Sequence, residues 1–128
     1  MDPRPAPLTA LGLAAVLAAA PAPAMEAAII VQRSPLAGYR HYDGPAVLRD
    51  MRAGDRLELV REPDNPYDSR AIRVEWRGVK LGYVPRRDNA AVARQMDRGA
   101  PLVARVVTLK ANRNGSARIE FEVVLPLK

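Results

Sequence analysis

Between Ile72 and Arg77 the chain alternates apolar and charged residues without a break, reading Ile72-Arg73-Val74-Glu75-Trp76-Arg77. Successive side chains of an extended strand point to opposite faces, so Ile72, Val74 and Trp76 share one face and Arg73, Glu75 and Arg77 the other. A helix would scatter the same residues around its whole circumference. This segment therefore commits the chain to β-structure with one buried and one wet face. Its neighbours repeat the theme as short apolar runs separated by turn signals. The run 27–31 ends at Gln32-Arg33, and Ser34-Pro35 predicts a loop leading to the segment 39–42. Leu57, Leu59 and Arg61 follow a Gly54-Asp55 turn, and Arg77-Gly78 turns the chain into 79–84. Two last strands, 103–109 and 119–124, flank Asn114-Gly115, a hairpin signal. One late helix interrupts them: Asp88 or Asn89 can cap it, Val92, Ala93 and Met96 give the 3–4 spacing, and Gly99 with Pro101 stops it. About six short strands with one or two short helices predict a mainly β, small and partly open barrel. Its thin core requires Trp76 and Phe121 to pack with the aliphatic faces.

Residue usage then removes whole classes of chemistry. The chain has no Cys, which excludes disulfides, thiol nucleophiles and thiolate metal sites. A single His, His41, excludes HExxH zinc chemistry and any multi-histidine cluster. The P-loop pattern GxxxxGK[ST] is absent, so no ATPase is expected.

The first 24 residues are Ala- and Pro-rich, with only Asp2 and Arg4 charged. The 13-residue run from Leu8 to Ala20 is too short to span a bilayer but has the size of a signal-peptide core. Ala22-Pro23-Ala24 supplies a small-x-small cleavage site. Residues 1–24 are thus expected to be a leader and residues 25–128 the folded domain, with no membrane span in the mature chain. Processing after Ala24 implies a secreted or periplasmic protein. The alternative is translation starting at Met25, with a cytoplasmic product. Because Asp2 and Arg4 cancel, the whole net charge of +6 falls on the domain.

Three clusters in the domain carry possible chemistry. In Arg61-Glu62-Pro63-Asp64-Asn65-Pro66-Tyr67-Asp68 two prolines forbid a regular strand or helix. Asn65 and Asp68 there can simply tie down a turn, or a stiff loop can present Asn65, Tyr67 and Asp68 outward. The spacing of Asp64, Asn65 and Asp68 is not that of an EF-hand, and no metal is expected. The second cluster, Gly38-Tyr39-Arg40-His41-Tyr42-Asp43-Gly44, combines aromatic, Arg and His side chains suited to stacking on bases and contacting phosphate. The competing reading is an ordinary strand, with Tyr39 and His41 on one side and Arg40 and Tyr42 on the other. No Ser or acid is visibly paired with His41, so a catalytic triad is not indicated. The third cluster is Arg86-Arg87 after Gly82-Tyr83-Val84-Pro85, followed by Arg94 and Arg98 four residues apart on the helix. Planar guanidinium groups suit phosphate, although 17 Arg against three Lys also fits a coding bias.

Taken in order, these stretches resemble the HIRAN domain, a module found at the N-terminus of helicase-like transcription factor and as a stand-alone bacterial protein. The resemblance rests on GYRHYDG at 38–44, REPDNPYDSRAIRV at 61–74, LGYVPRR at 81–87 and MDRG at 96–99. It implies an OB-like β-barrel, without cofactor or catalysis, that binds single-stranded DNA by its 3′ end. By position it assigns DNA contacts to Arg40, His41, Tyr42, Asn65, Tyr67, Asp68, Tyr83 and Arg86, with Asp68 accepting from the terminal 3′-hydroxyl. Two positions depart from the pattern of the relatives. His41 stands where they have Tyr, and Leu109 where they place a pocket Phe. Both departures reduce aromatic area, and each stacked base is worth about 1–3 kcal/mol. The expectation is a monomeric, non-enzymatic DNA-binding module. The alternative is a secreted β-barrel that binds a peptide, glycan or other ligand.

Overall fold

The computed structural model describes residues 27–127, so the expected leader and its cleavage site lie outside the described residues. Among the described residues six antiparallel strands form one sheet: β1 (Ala28–Pro35), β2 (Arg56–Glu62), β3 (Ala71–Trp76), β4 (Val79–Tyr83), β5 (Val103–Ala111) and β6 (Ala117–Pro126), in the order β1-β6-β5-β2-β3-β4. The strand β3 behaves as its alternation requires. Ile72, Val74 and Trp76 are buried, while Arg73 and Glu75 remain partly exposed and Arg77 sits in the turn. Those buried side chains meet Leu57, Leu81, Phe121 and Val123 in a single core.

Three devices curl the sheet toward a barrel. The ladder shifts by one residue in each of the pairs β1·β6, β3·β4 and β5·β6, and such bulges bend a strand and increase its twist. β2 divides its pairing, giving Arg56 and Leu57 to β5 and Glu58 to Glu62 to β3. Finally, Ala37, just past the end of β1, bridges to Tyr83 of β4, with backbone hydrogen bonds of 3.0 and 2.9 Å. That bridge joins the two edges of the sheet at one point. The architecture is thus an incompletely closed, OB-like barrel, as expected. Gly82 makes the bridge possible: a Cβ there would press into the backbone oxygen of Ala37.

Two sequence expectations change. Ser34-Pro35 continues β1 instead of forming a loop, pairing with Phe121 and Glu120. β1 is an edge strand, so the missing proline N–H disrupts no inner ladder, and Ser34 is buried where Gln32 donates to it at 2.8 Å. The segment 39–42 is not a strand either. Gly38 adopts φ 79, and a 3₁₀ turn follows over Tyr39–His41, closed by His41 N–H donating to Gly38 O at 2.9 Å. This turn drives Tyr39 inward, to 6% exposure, and leaves Arg40 and His41 outside. Tyr39 and His41 therefore do not share a face.

Among the described residues there are two short α-helices, α1 (Gly44–Val47) and α2 (Ala90–Asp97). α2 stops at Gly99, whose φ is 92, as the sequence predicts. Asn89 occupies its N-cap, but its side chain makes no capping hydrogen bond. The backbone there is already helical, at φ −94 and ψ −15, so the side chain is free to turn elsewhere. The Asn114-Gly115 signal marks the β5–β6 connection, which spans 112–116 with Gly115 at φ 87. Among the described residues no helix is long and apolar enough to cross a membrane.

Candidate functional site

The loop between β2 and β3 folds on itself and leaves Tyr67 in solvent. Asn65 Oδ1 accepts from Tyr67 N–H at 2.9 Å, and Asn65 Nδ2 donates to Glu62 Oε1 at 2.9 Å. Asp68 Oδ1 accepts from Arg70 N–H at 2.9 Å. Of the three residues expected to face outward, Asn65 and Asp68 are half-buried and tie the turn down, while Tyr67 projects with 83% of its surface exposed. Asn65 keeps a single side-chain N–H uncommitted, so most of its hydrogen bonding goes to shaping the loop.

Six of the eight expected contact residues converge. Tyr42, Asn65, Tyr67, Asp68, Tyr83 and Arg86 line one open cleft of about 480 Å³, with Ala37, Pro66 and Lys80 in its walls. The Tyr42 and Tyr83 rings meet edge to face, 5.8 Å between centroids and 67° apart. Arg86 donates to the Tyr67 carbonyl and holds its guanidinium 4.0 Å from Asp68. The two remaining residues lie outside. Arg40 and His41 border a separate, smaller depression, and His41 faces Tyr42 edge-on with the ring centroids 6.5 Å apart. Their displacement follows from the 3₁₀ turn, which sends successive side chains to different directions within one tight loop. Leu109 is also remote from the cleft, lining a third hollow beside Tyr39. Of the basic helix residues, Arg94 and Arg98 are exposed and line no part of the cleft.

The charged groups of the cleft are prepared by residues to which the sequence assigned no contact. Asn89 is completely buried and donates from Nδ2 to Asp68 Oδ2 at 2.7 Å. Burial by itself would raise the Asp68 carboxyl. The Arg70 amide, the Asn89 amide and the charges of Arg86 and Arg70 outweigh it and hold Asp68 below the usual carboxylate range. Glu62 is held low against the same opposing burial. It accepts from Asn65 and from Tyr83 Oη, at 2.8 Å, and Arg73 Nη1 donates to its other oxygen at 2.6 Å. Glu62 thus fixes two cleft residues on two different elements. Lys80 completes the inner wall, its Nζ lying 4.0 Å from the centroid of Tyr42 and 4.7 Å from that of Tyr83. In the sequence Lys80 is one polar residue inside an apolar strand run, with nothing to connect it to Tyr42. Among the described residues no cluster of His, Asp or Glu is arranged to hold a metal ion.

Residues 29–128 match the family model of the HIRAN domain. The chain belongs to the HIRAN domain family. Helicase-like transcription factor of Mus musculus is 38% identical over 81 residues, covering 62% of this chain and 8% of that protein. The Oryctolagus cuniculus protein of the same name is 37% identical over the same span and share. This HIRAN chain therefore corresponds to a small part of those curated relatives. Among solved structures, a protein from Lactobacillus plantarum superposes with a TM-score of 0.68 at 31% identity, covering 77% of this chain and 94% of that one. The HIRAN domain of human HLTF superposes with a TM-score of 0.59 at 25% identity, covering 73% and 72% respectively. These likenesses agree with the barrel built above from the strand order.

Proposed function

We propose that this HIRAN domain is a DNA-binding module that takes the 3′ end of a single strand into the Tyr42–Asp68–Tyr83 cleft. A HIRAN domain is a binding unit and not a catalytic one, and likeness to part of helicase-like transcription factor supports a DNA ligand. The observation that carries the reading is the pairing of an acceptor with cations in one cleft: Asp68 beside Arg86, with Lys80 in the wall. A strand terminus offers matching groups, a hydroxyl at its end and a phosphate one sugar away. The Asp68 carboxylate accepts a hydrogen bond from a free 3′-hydroxyl and repels a 3′-phosphate. Tyr67, exposed at the mouth, gives a stacking surface for a base. Arg40 and His41, outside the cleft, are assigned to the strand further from its end.

Fluorescence anisotropy with paired oligonucleotides ending in 3′-OH or 3′-phosphate tests this. The wild-type protein should prefer the 3′-OH strand, and Asp68→Ala should erase the preference. Equal affinity for both ends in the wild type would refute end capture, and no binding at low salt would refute the DNA reading itself.

A further inference from the structure

The inner wall of the cleft holds a cation that the family motifs leave unassigned. Lys80 lies on β4, three residues before Tyr83, in backbone register with Glu75 of β3. Its Nζ lies within cation–π distance of two rings at once, 4.0 Å from Tyr42 and 4.7 Å from Tyr83. Those rings hold the ammonium in place but accept none of its N–H groups in a conventional hydrogen bond. Among the described residues Lys80 has no carboxylate within ion-pair distance. Asp43, whose N–H donates to the Lys80 carbonyl at 3.2 Å, keeps its carboxylate beyond ion-pair distance, and the acids around the cleft accept from other donors. Glu75 accepts from Arg73 at 2.7 Å, Glu62 from Arg73, Tyr83 and Asn65, and Asp68 from Asn89 and the Arg70 amide. The opposite situation holds for Arg86, which already donates to the Tyr67 carbonyl and sits near Asp68.

We infer that Lys80 is a phosphate-contacting residue of this cleft, and the one that anchors the phosphate closest to the captured end. The inference rests on the DNA reading above and adds to it a residue and a role. A positioned ammonium with three uncommitted donors, in a cleft it shares with an acceptor carboxylate, complements an anion next to a hydroxyl. Two aromatic faces keep the charge from collapsing onto Asp68, so acceptor and cation remain separate within the same site. Lysine acts here as a point charge, whose N–H groups donate to a phosphate oxygen from several directions.

The test measures the affinity of a 3′-OH oligonucleotide by anisotropy across a series of KCl concentrations, for the wild type, Lys80→Met and Lys80→Arg. Methionine retains the length that packs against the rings and removes only the charge. Lys80→Met should weaken binding several-fold at low salt and lower the log–log salt slope by about 0.7, the value for one phosphate contact on a single strand. Lys80→Arg should restore the slope. An unchanged slope in Lys80→Met overturns the inference, and so does tighter binding, which would mean that Lys80 only covers ring faces that a base must reach. Should the Met variant melt early, Lys80→Gln supplies the same comparison. Loss of all wild-type binding would remove the parent reading as well, whereas salt-dependent wild-type binding with an unaltered variant slope removes this inference alone.

Discussion

Asn89 Nδ2 donates to Asp68 Oδ2 across 2.7 Å, joining the first residue before α2 to the loop between β2 and β3. An N-cap Asn would normally accept through its side-chain oxygen from its own helix, whereas this one donates through its nitrogen to a carboxylate 21 positions away in the chain. Asn89→Ala should therefore cost about 1–3 kcal/mol of stability, by removing a donor from a partly buried charge. It should also reduce the preference for 3′-OH over 3′-phosphate ends. Chemical denaturation and paired anisotropy titrations read the two effects, and a stability loss without any change in end preference would limit Asn89 to a structural role.

Tyr67 should behave in the opposite way. With most of its ring in solvent, it contributes little packing to the fold. Tyr67→Ala should leave the melting temperature nearly unchanged while weakening single-strand binding by about 1–3 kcal/mol, the worth of one stacked base. Tyr67→Phe should bind close to wild type, because the stacking face is retained. Wild-type affinity in the Ala variant would exclude this ring from the interface.

Glu62 touches Asn65, Tyr83 and Arg73 without lining the cleft. Glu62→Ala should loosen both Asn65 and Tyr83, lowering affinity together with stability. Glu62→Gln can accept from Tyr83 but loses the ionic component with Arg73, so its effects should be smaller on both measurements. A Gln variant as damaged as the Ala variant would show that the charge matters more than the geometry.

Gly82→Ala tests the closure of the barrel. The new Cβ meets the Ala37 carbonyl, a backbone atom that cannot swing aside, so the bridge to Tyr83 must open. A loss of about 1–3 kcal/mol is expected from such overpacking. Amide hydrogen exchange should report faster exchange at Tyr83 and Ala37, both of which donate in the bridge. Unaltered protection at those two amides would contradict the closure described.

The acid limb of stability follows from four carboxylates, one of them the exposed Asp97, which the Arg61 hydrogen bond holds low. Hydrogen bonds from Arg33 and then Arg105 hold Glu122 low, and Glu62 and Asp68 are low despite burial. A folded-state value below the unfolded one means that the unfolded chain binds more protons as the pH falls. Stability is then fully present above the ordinary carboxylate range and declines below about pH 5. Thermal melts from neutral to acid should show this decline, and Glu122→Gln should flatten it while lowering the neutral-pH melting temperature. A wild-type melting temperature that stays level into the acid range would contradict these shifts.

Much of the framework was legible in the chain because it depends on local periodicity. The alternation from Ile72 to Arg77 determined which face of β3 is buried, and Gly99 and Asn114-Gly115 marked where the last helix stops and the last hairpin turns. The motif around Asn65, Tyr67 and Asp68 named three of the cleft residues through family likeness, and its two prolines excluded a strand there. What periodicity could not show was the conformation of 38–42, where a left-handed Gly38 replaces alternation with a tight turn. That turn separates Arg40 and His41 from Tyr42 and sends Tyr39 into the interior. Nor could local pattern show that Tyr42, Lys80 and Tyr83 share a wall, or that Asn89 reaches Asp68. Those relations arise only when the bulges and the Ala37–Tyr83 bridge curl the sheet. Local pattern assigns a residue to a face, whereas the meeting of faces depends on the register between distant strands and is decided by tertiary packing.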